Sequence, residues 1–115
     1  MDFEDSAQDP VDWPTSPALG IEQLLKRLDM PASKIDMWEI NEAFAMVVLA
    51  NIRLLGLDPD LVNPNGGAVS IGHPFGMSGA RITNHLALNL GRGKVGVASL
   101  CNGGGGASTI MLEGM

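Results

Sequence analysis

Ile35-Asp36-Met37-Trp38-Glu39-Ile40, then Asn41-Glu42, then Ala43 to Leu55 closed by Gly56, is the stretch whose reading decides the fold. Ile35 to Ile40 reads as a short strand with an apolar side at Met37 and Trp38. Asn41-Glu42 follows at once and opens a helix over about 43–55. That helix carries Phe44, Met46, Val47, Val48, Leu49 and Ile52 with few polar breaks, which predicts burial over most of its surface. Gly56 then stands where a left-handed residue without a Cβ ends a helix. A strand that turns directly into a helix is the unit of a layered α/β fold.

Working upstream, residues 1–17 read as an irregular, acidic lead-in punctuated by Pro10, Pro14 and Pro17, because the residue before each proline is pushed out of the helical region. Thr15 or Ser16 can cap a helix with Pro17 near its first position. Leu19, Ile21, Leu24, Leu25 and Leu28 recur at helical spacing up to Met30, and Pro31 stops the run. Downstream, 63–72 is rich in turn residues around Asn65-Gly66-Gly67. A helix follows from Ser78 to Leu90, ending at Gly91. Two strands close the chain, Gly96 to Cys101 and Ser108 to Leu112, separated by Asn102 and four glycines. Short strands alternating with helices imply an α/β layered fold. No internal repeat and no linker divides the chain, so residues 1–115 form one domain.

Composition narrows the partners. A hydrophobic share of 45 % supplies a core and excludes a wholly disordered chain. With 7 Lys plus Arg, no basic run and a net charge of −6, the chain is no nucleic-acid binder. A single cysteine forms no intramolecular disulfide and favours a reducing, intracellular compartment. No apolar run reaches the roughly 18–20 residues that span a bilayer. The acidic opening Met1-Asp2-Phe3-Glu4-Asp5 is unlike a secretory or transit leader.

Three segments place chemistry at junctions between elements, where α/β folds bind ligands: Asn41-Glu42-Ala43-Phe44, Gly72-His73-Pro74-Phe75-Gly76, and Cys101-Asn102 with Gly103 to Gly106. Cys101 ends an apolar strand before glycines whose amides can form an anion-binding concavity or an oxyanion hole. The plain alternative is a buried structural cysteine, as most lone cysteines are. His73 sits in a loop before a helix and can accept at one ring nitrogen while donating from the other; the alternative is a loop histidine that caps or packs. Asn41 reads first as a cap for the helix after it, and second as an amide that holds a water. His85, in mid-helix, reads as a surface or boundary residue. One Cys and two His make no zinc pattern. The glycines of 72–79 match neither the P-loop nor the dinucleotide fingerprint.

Taken together, Trp38 to Phe44, Asn65 to Arg81 and Cys101 to Ala107 resemble the thiolase family, and within it the acetyl-CoA acetyltransferases of mitochondrial type. Three ordered motifs at compatible spacing carry the resemblance, which extends over essentially the whole chain. It implies the C-terminal half of a thiolase-like layered α/β fold, a mixed β-sheet with helices on both faces and the first strand truncated. It implies Claisen condensation and thiolysis of acetoacetyl-CoA, with a coenzyme A thioester as substrate and no tightly bound cofactor. Cys101 would be the acid/base cysteine acting on the acetyl methyl carbon. His73 would activate a nucleophilic cysteine and donate to the thioester oxygen, and Asn41 would hold the water completing that oxyanion hole. The amide of Gly103 would serve a second hole. Phe44 would line an acyl pocket suited to short chains. The carbonyl of Val69 is a candidate potassium ligand.

The family reaction needs a second, nucleophilic cysteine, and this chain has Cys101 alone. The chain therefore reads as a C-terminal portion that requires an N-terminal half as partner and is inactive by itself. The resemblance implies a homo-oligomeric full-length protein in the mitochondrial matrix rather than the cytoplasm. Two other readings stand beside it: a non-catalytic module that binds a partner or a coenzyme A-type ligand, and a longer-chain 3-ketoacyl-CoA thiolase. Phe44 argues against the last.

Overall fold

Trp38 is the largest fully buried side chain, and the fold is built outward from the strand that carries it. The computed structural model describes residues 1–115. Four strands, β1 (Asp2–Ala7), β2 (Met37–Ile40), β3 (Val95–Cys101) and β4 (Gly106–Glu113), form one sheet in the order β1-β4-β3-β2. β2 and β3 run parallel, while β4 is antiparallel to its neighbours β3 and β1. A parallel pair needs a long crossover, and the one here holds α2 (Ala45–Leu55), the single turn α3 (Ala68–Ile71) and α4 (Ser78–Asn89). α1 (Ser16–Arg27) lies between β1 and β2 in sequence.

Because side chains alternate along a strand, β2 sends Trp38 and Ile40 to one face and Met37 and Glu39 to the other. Trp38 and Ile40 join Val97 and Met111 in a core with Ile21, Leu24 and Leu25 of α1, and Val48, Ile52 and Leu55 of α2 pack onto it. Met37, Ala98 and Leu112 pack against Ile82 and Leu86 of α4. Helices therefore cover both faces of a mixed sheet, as the family resemblance implies. The outer edge of β2 is closed by a side chain: Asn63, at φ 48°, accepts from Ile40 N–H at 2.9 Å and donates to Ile40 C=O at 2.8 Å. No helix is long and apolar enough to cross a membrane.

The lead-in 1–17 is not irregular. Asp2–Ala7 pairs with β4 at all six residues, and Pro10–Thr15 winds into 3-10 turns. The strand is disguised by its acids. Asp2 and Glu4 meet Arg27 of α1 at 2.7 and 3.1 Å, so charge takes the place of an apolar inner row on a sheet edge. The hydrogen bond from Phe3 N–H, with Arg27 nearby, holds the Asp2 carboxyl below its ordinary range.

Neither Thr15 nor Ser16 caps α1 with its side chain. Thr15 donates to Asp12 C=O and Ser16 to Gly105 C=O. The cap comes instead from α2, where buried Asn51 accepts from Ala18 N–H at 2.7 Å. α1 also stops before Met30: Asp29 turns left-handed at φ 50°, with its N–H on Lys26 C=O and Met30 N–H on Leu25 C=O, a Schellman closure.

α2 departs most from expectation. It starts at Ala45, and only Val47 and Asn51 are fully buried. Met46, Leu49 and Leu54 are 56 %, 64 % and 56 % exposed. One side of the helix packs on α1 and the sheet, and no element of this chain covers the other.

Candidate functional site

The parallel pairing of β2 with β3 brings two of the three motifs together. Ile40 is opposite Ser99, and Asn41 N–H donates to Ser99 C=O at 2.9 Å. Asn41 therefore leaves one strand beside the end of the other, where Cys101 sits. The third motif arrives over the ends of these strands on the loop between α3 and α4. His73, Phe44, Cys101 and Gly103 line one cavity of about 630 Å³, together with Trp13 and Phe75.

The ring of His73 is held at both nitrogens. Ser78 Oγ, in the first turn of α4, lies 2.5 Å from Nδ1 and donates to Pro74 C=O at 3.2 Å. A hydroxyl has one hydrogen to give, so with Ser78 donating to Pro74 the ring proton is assigned to Nδ1, which donates to Ser78. Nε2 then carries a lone pair and accepts from Asn41 Nδ2 at 3.4 Å. An imidazole in this tautomer can take a proton at Nε2 and return it, or, once protonated there, donate to an oxyanion. The ring of Phe75 stands edge-on to it, with centroids 5.1 Å apart.

Asn41 does not cap α2, whose N-terminal flank is Phe44 without a side-chain cap. The side chain is fully buried, and its Oδ1 has no hydrogen-bond partner in the protein. A buried amide oxygen without a partner is costly, and it marks a place for an external donor such as a water.

Cys101 ends β3 with 8 % of its surface exposed and its thiol free. Burial pushes the thiol above its ordinary range, and a backbone hydrogen bond only partly offsets this. Burial thus favours the protonated thiol over the thiolate, and the thiol is the form that gives a proton. The glycine loop beyond it turns left-handed at Gly104 (φ 79°) and Gly105 (φ 86°). Gly105 is also pinned from outside, its C=O accepting from Gln8 N–H and Ser16 Oγ, and a Cβ there would run into Gln8 C=O. Gly103 has nothing within 4 Å of where its Cβ would lie, leaving its backbone open to a ligand.

Phe44 is 62 % exposed and leans on Trp13, with ring centroids 5.8 Å apart. The two rings make an aromatic wall of the cavity. Trp13 carries no sequence signal among its prolines, and Ser78 is legible only as a helix start. His85 is a boundary residue as expected, but its partner is not: Nδ1 lies 3.0 Å from Oε1 of fully buried Glu39. Burial pushes the Glu39 carboxyl up, against the pull of His85 and Arg81. No cluster of three or more His, Cys, Asp or Glu side chains offers a metal site. Val69 contributes one carbonyl on α3, short of the several oxygens a hard cation takes, so these residues do not by themselves fit potassium.

Comparison with known proteins extends the picture. The family model for the thiolase C-terminal domain matches residues 1–114. The chain is 57 % identical over 111 residues to mitochondrial acetyl-CoA acetyltransferase A of Xenopus laevis, covering 96 % of this chain and 26 % of that protein. It superposes with a TM-score of 0.98, at 44 % identity, on Acat5 thiolase from Ascaris suum in complex with coenzyme A, covering all of this chain and 30 % of that one. The dimeric peroxisomal thiolase of Saccharomyces cerevisiae gives 0.93 at 37 % identity, over 96 % of this chain and 28 % of that one. The chain thus spans about a quarter of the length of the curated relatives it matches. On sequence and fold alike, this chain belongs to the thiolase family and corresponds to its C-terminal domain.

Proposed function

We propose that this domain supplies the acid/base and oxyanion side of an acetyl-CoA acetyltransferase active site, acting on acetoacetyl-CoA and acetyl-CoA together with a half that carries a nucleophilic cysteine. One observation carries the reading: buried Asn41 offers an unpartnered Oδ1 while its Nδ2 meets His73 Nε2, on the cavity that Cys101 also lines. His73 Nε2, free of its own proton, takes the proton of the nucleophilic thiol. Once protonated, it donates to the thioester oxygen where negative charge develops. Asn41 Oδ1 orders the water that completes that oxyanion hole. Such donors stabilise charge that exists only in the transition state, each worth on the order of 10²–10³ in rate.

Cys101 moves the proton at the acetyl methyl carbon. Its raised thiol fits the donating direction, in which the methylene carbon left by carbon–carbon cleavage becomes a methyl group. In condensation the same sulfur removes a methyl proton, which requires charge stabilisation from the bound thioester. Gly103 N–H serves the second oxyanion, and the Phe44–Trp13 wall favours short acyl chains. The mitochondrial naming of the relatives supports a mitochondrial place of work, and the dimeric yeast neighbour supports an oligomer.

The test is complementation. The isolated chain is expected to show no thiolysis of acetoacetyl-CoA. Supplying a thiolase N-terminal half should produce it, and Cys101→Ala should abolish it. Coenzyme A binding without turnover in the complemented protein would instead favour a binding module. A preference for long-chain 3-ketoacyl-CoA would favour the longer-chain thiolase.

A further inference from the structure

Glu42 follows Asn41 directly, yet none of the roles above uses it. Its Oε1 accepts from Asn63 Nδ2 at 2.9 Å and its Oε2 from the backbone N–H of Val69 at 2.8 Å. Both donors lie on the segment that delivers His73. A third observation concerns Gly67 on the same segment. Its backbone is extended, at φ −144°, a conformation open to any residue. A Cβ at Gly67 would overlap the Glu42 carboxyl carbon and both its oxygens. The glycine is required by the space that Glu42 occupies.

The network closes on the end of β2. Asn63, which donates to Glu42, also holds Ile40 N–H and C=O. Beyond Val69 the chain is tied by Gly72 N–H to Ala68 C=O at 2.8 Å, and His73 is the next residue. The direct contact between Asn41 and His73 is long, at 3.4 Å, too weak to hold a loop residue in register by itself. Hydrogen bonds to a carboxylate are about twice as strong as neutral ones. Small misplacements of a reacting group are expensive in rate.

We infer that Glu42 is a positioning residue, whose carboxylate clamps the 63–72 segment to the end of β2 and so sets the His73 ring against Asn41. Asn41 and the clamp then share one stretch of backbone, and the spacing between His73 and the Asn41 amide is referenced to a rigid strand. The inference rests on reading His73 and Asn41 as an oxyanion pair.

The chain has two histidines, so ring-nitrogen NMR of the whole chain resolves His73. In the parent protein, His73 should show a protonated Nδ1 and an unprotonated Nε2. In Glu42→Ala that pattern should collapse toward averaged tautomers, and Val69 amide exchange should speed by about ten- to hundred-fold. The buried β3 amides of Val97 and Ala98 should keep their protection. Gly67→Ala should reproduce the His73 change with Glu42 present, and should add nothing in the Glu42→Ala background. If Glu42→Ala loses β3 protection, Glu42→Gln carries the test: its oxygen still serves Val69, while its NH₂ faces that of Asn63. Unchanged His73 signals alongside a released Val69 amide would overturn the inference, as would additive effects of the two substitutions. Failure of complementation with the parent domain would overturn the functional reading instead, leaving these spectra as they are.

Discussion

The two walls of the cavity are built from different materials. On the α4 side, His73 is held by side chains: Ser78 at Nδ1 and Asn41 at Nε2. On the β3 side, Cys101 and Gly103 sit on backbone, a left-handed glycine turn pinned by Gln8 N–H and by the Ser16 hydroxyl. The first wall adjusts through rotamers and protons. The second has its glycine backbone fixed in advance, with the Cys101 thiol as its one working side chain. Donors that must stabilise a charge are best fixed before it appears, whereas a group that shuttles a proton needs an environment that tolerates two protonation states. In the proposed function each wall carries one of each: His73 with the water on Asn41 on the first, Cys101 with Gly103 N–H on the second, so the contrast lies in how the groups are held and not in what they do.

Four substitutions break or sharpen this contrast. The largest effect belongs to Asn41→Ala, which removes the His73 contact and the unpartnered Oδ1 together. Thiolysis by the complemented protein should fall by about 10²–10³, read as kcat at saturating substrate, with the urea midpoint little changed. Gly105→Ala attacks the backbone wall. The left-handed φ costs about 1–2 kcal/mol, and the clash with Gln8 C=O adds to it, for about 2–4 kcal/mol of stability in urea unfolding. The protonated Nδ1 of His73 should survive, showing that the walls fail independently.

Ser78→Ala acts on the side-chain wall alone. Losing one buried hydrogen bond is worth about 1–1.5 kcal/mol, so activity should drop about tenfold, and the His73 ring should populate both tautomers in NMR. The smallest effect is electrostatic. Glu39 is raised in the fold above its ordinary 4.5, chiefly by burial, so the folded state holds this proton more tightly than the unfolded chain does. Its contribution to stability is fully present below about 4.5 and is lost as pH rises through the raised folded value. Glu39→Gln should flatten that part of a stability-against-pH profile. A parent profile that instead rises with pH over this window would show that His85 and Arg81 dominate.

Much of this was legible in the chain. The short strand running straight into a helix, the turn-rich 63–72 segment and the two closing strands each carry a local signal, but Met37 and Trp38, read as one apolar side, pack into separate cores on opposite faces of β2. β1 was hidden because Asp2 and Glu4 on its inner row are charged, and their partner Arg27 lies 25 and 23 residues away in sequence. The exposure of α2 was hidden for a different reason. An all-apolar helix reads as buried, and periodicity does not say which layer buries it. Ser78 and Glu39 escaped because a hydroxyl in a helix start and an acid in a strand look ordinary until another element is packed against them.

The sequence by itself determined the order of elements from α1 onward, the α/β class and the three motifs that carry the family, because local propensity and residue spacing are properties of the chain. The tertiary structure alone decided that Asn41 faces His73 instead of capping α2, and that Glu42 holds the loop that brings His73 there. It alone placed Cys101 where burial pushes its thiol above the ordinary range. These depend on β2 lying parallel beside β3 and on α4 crossing behind them, and no contact of that range is written in local spacing.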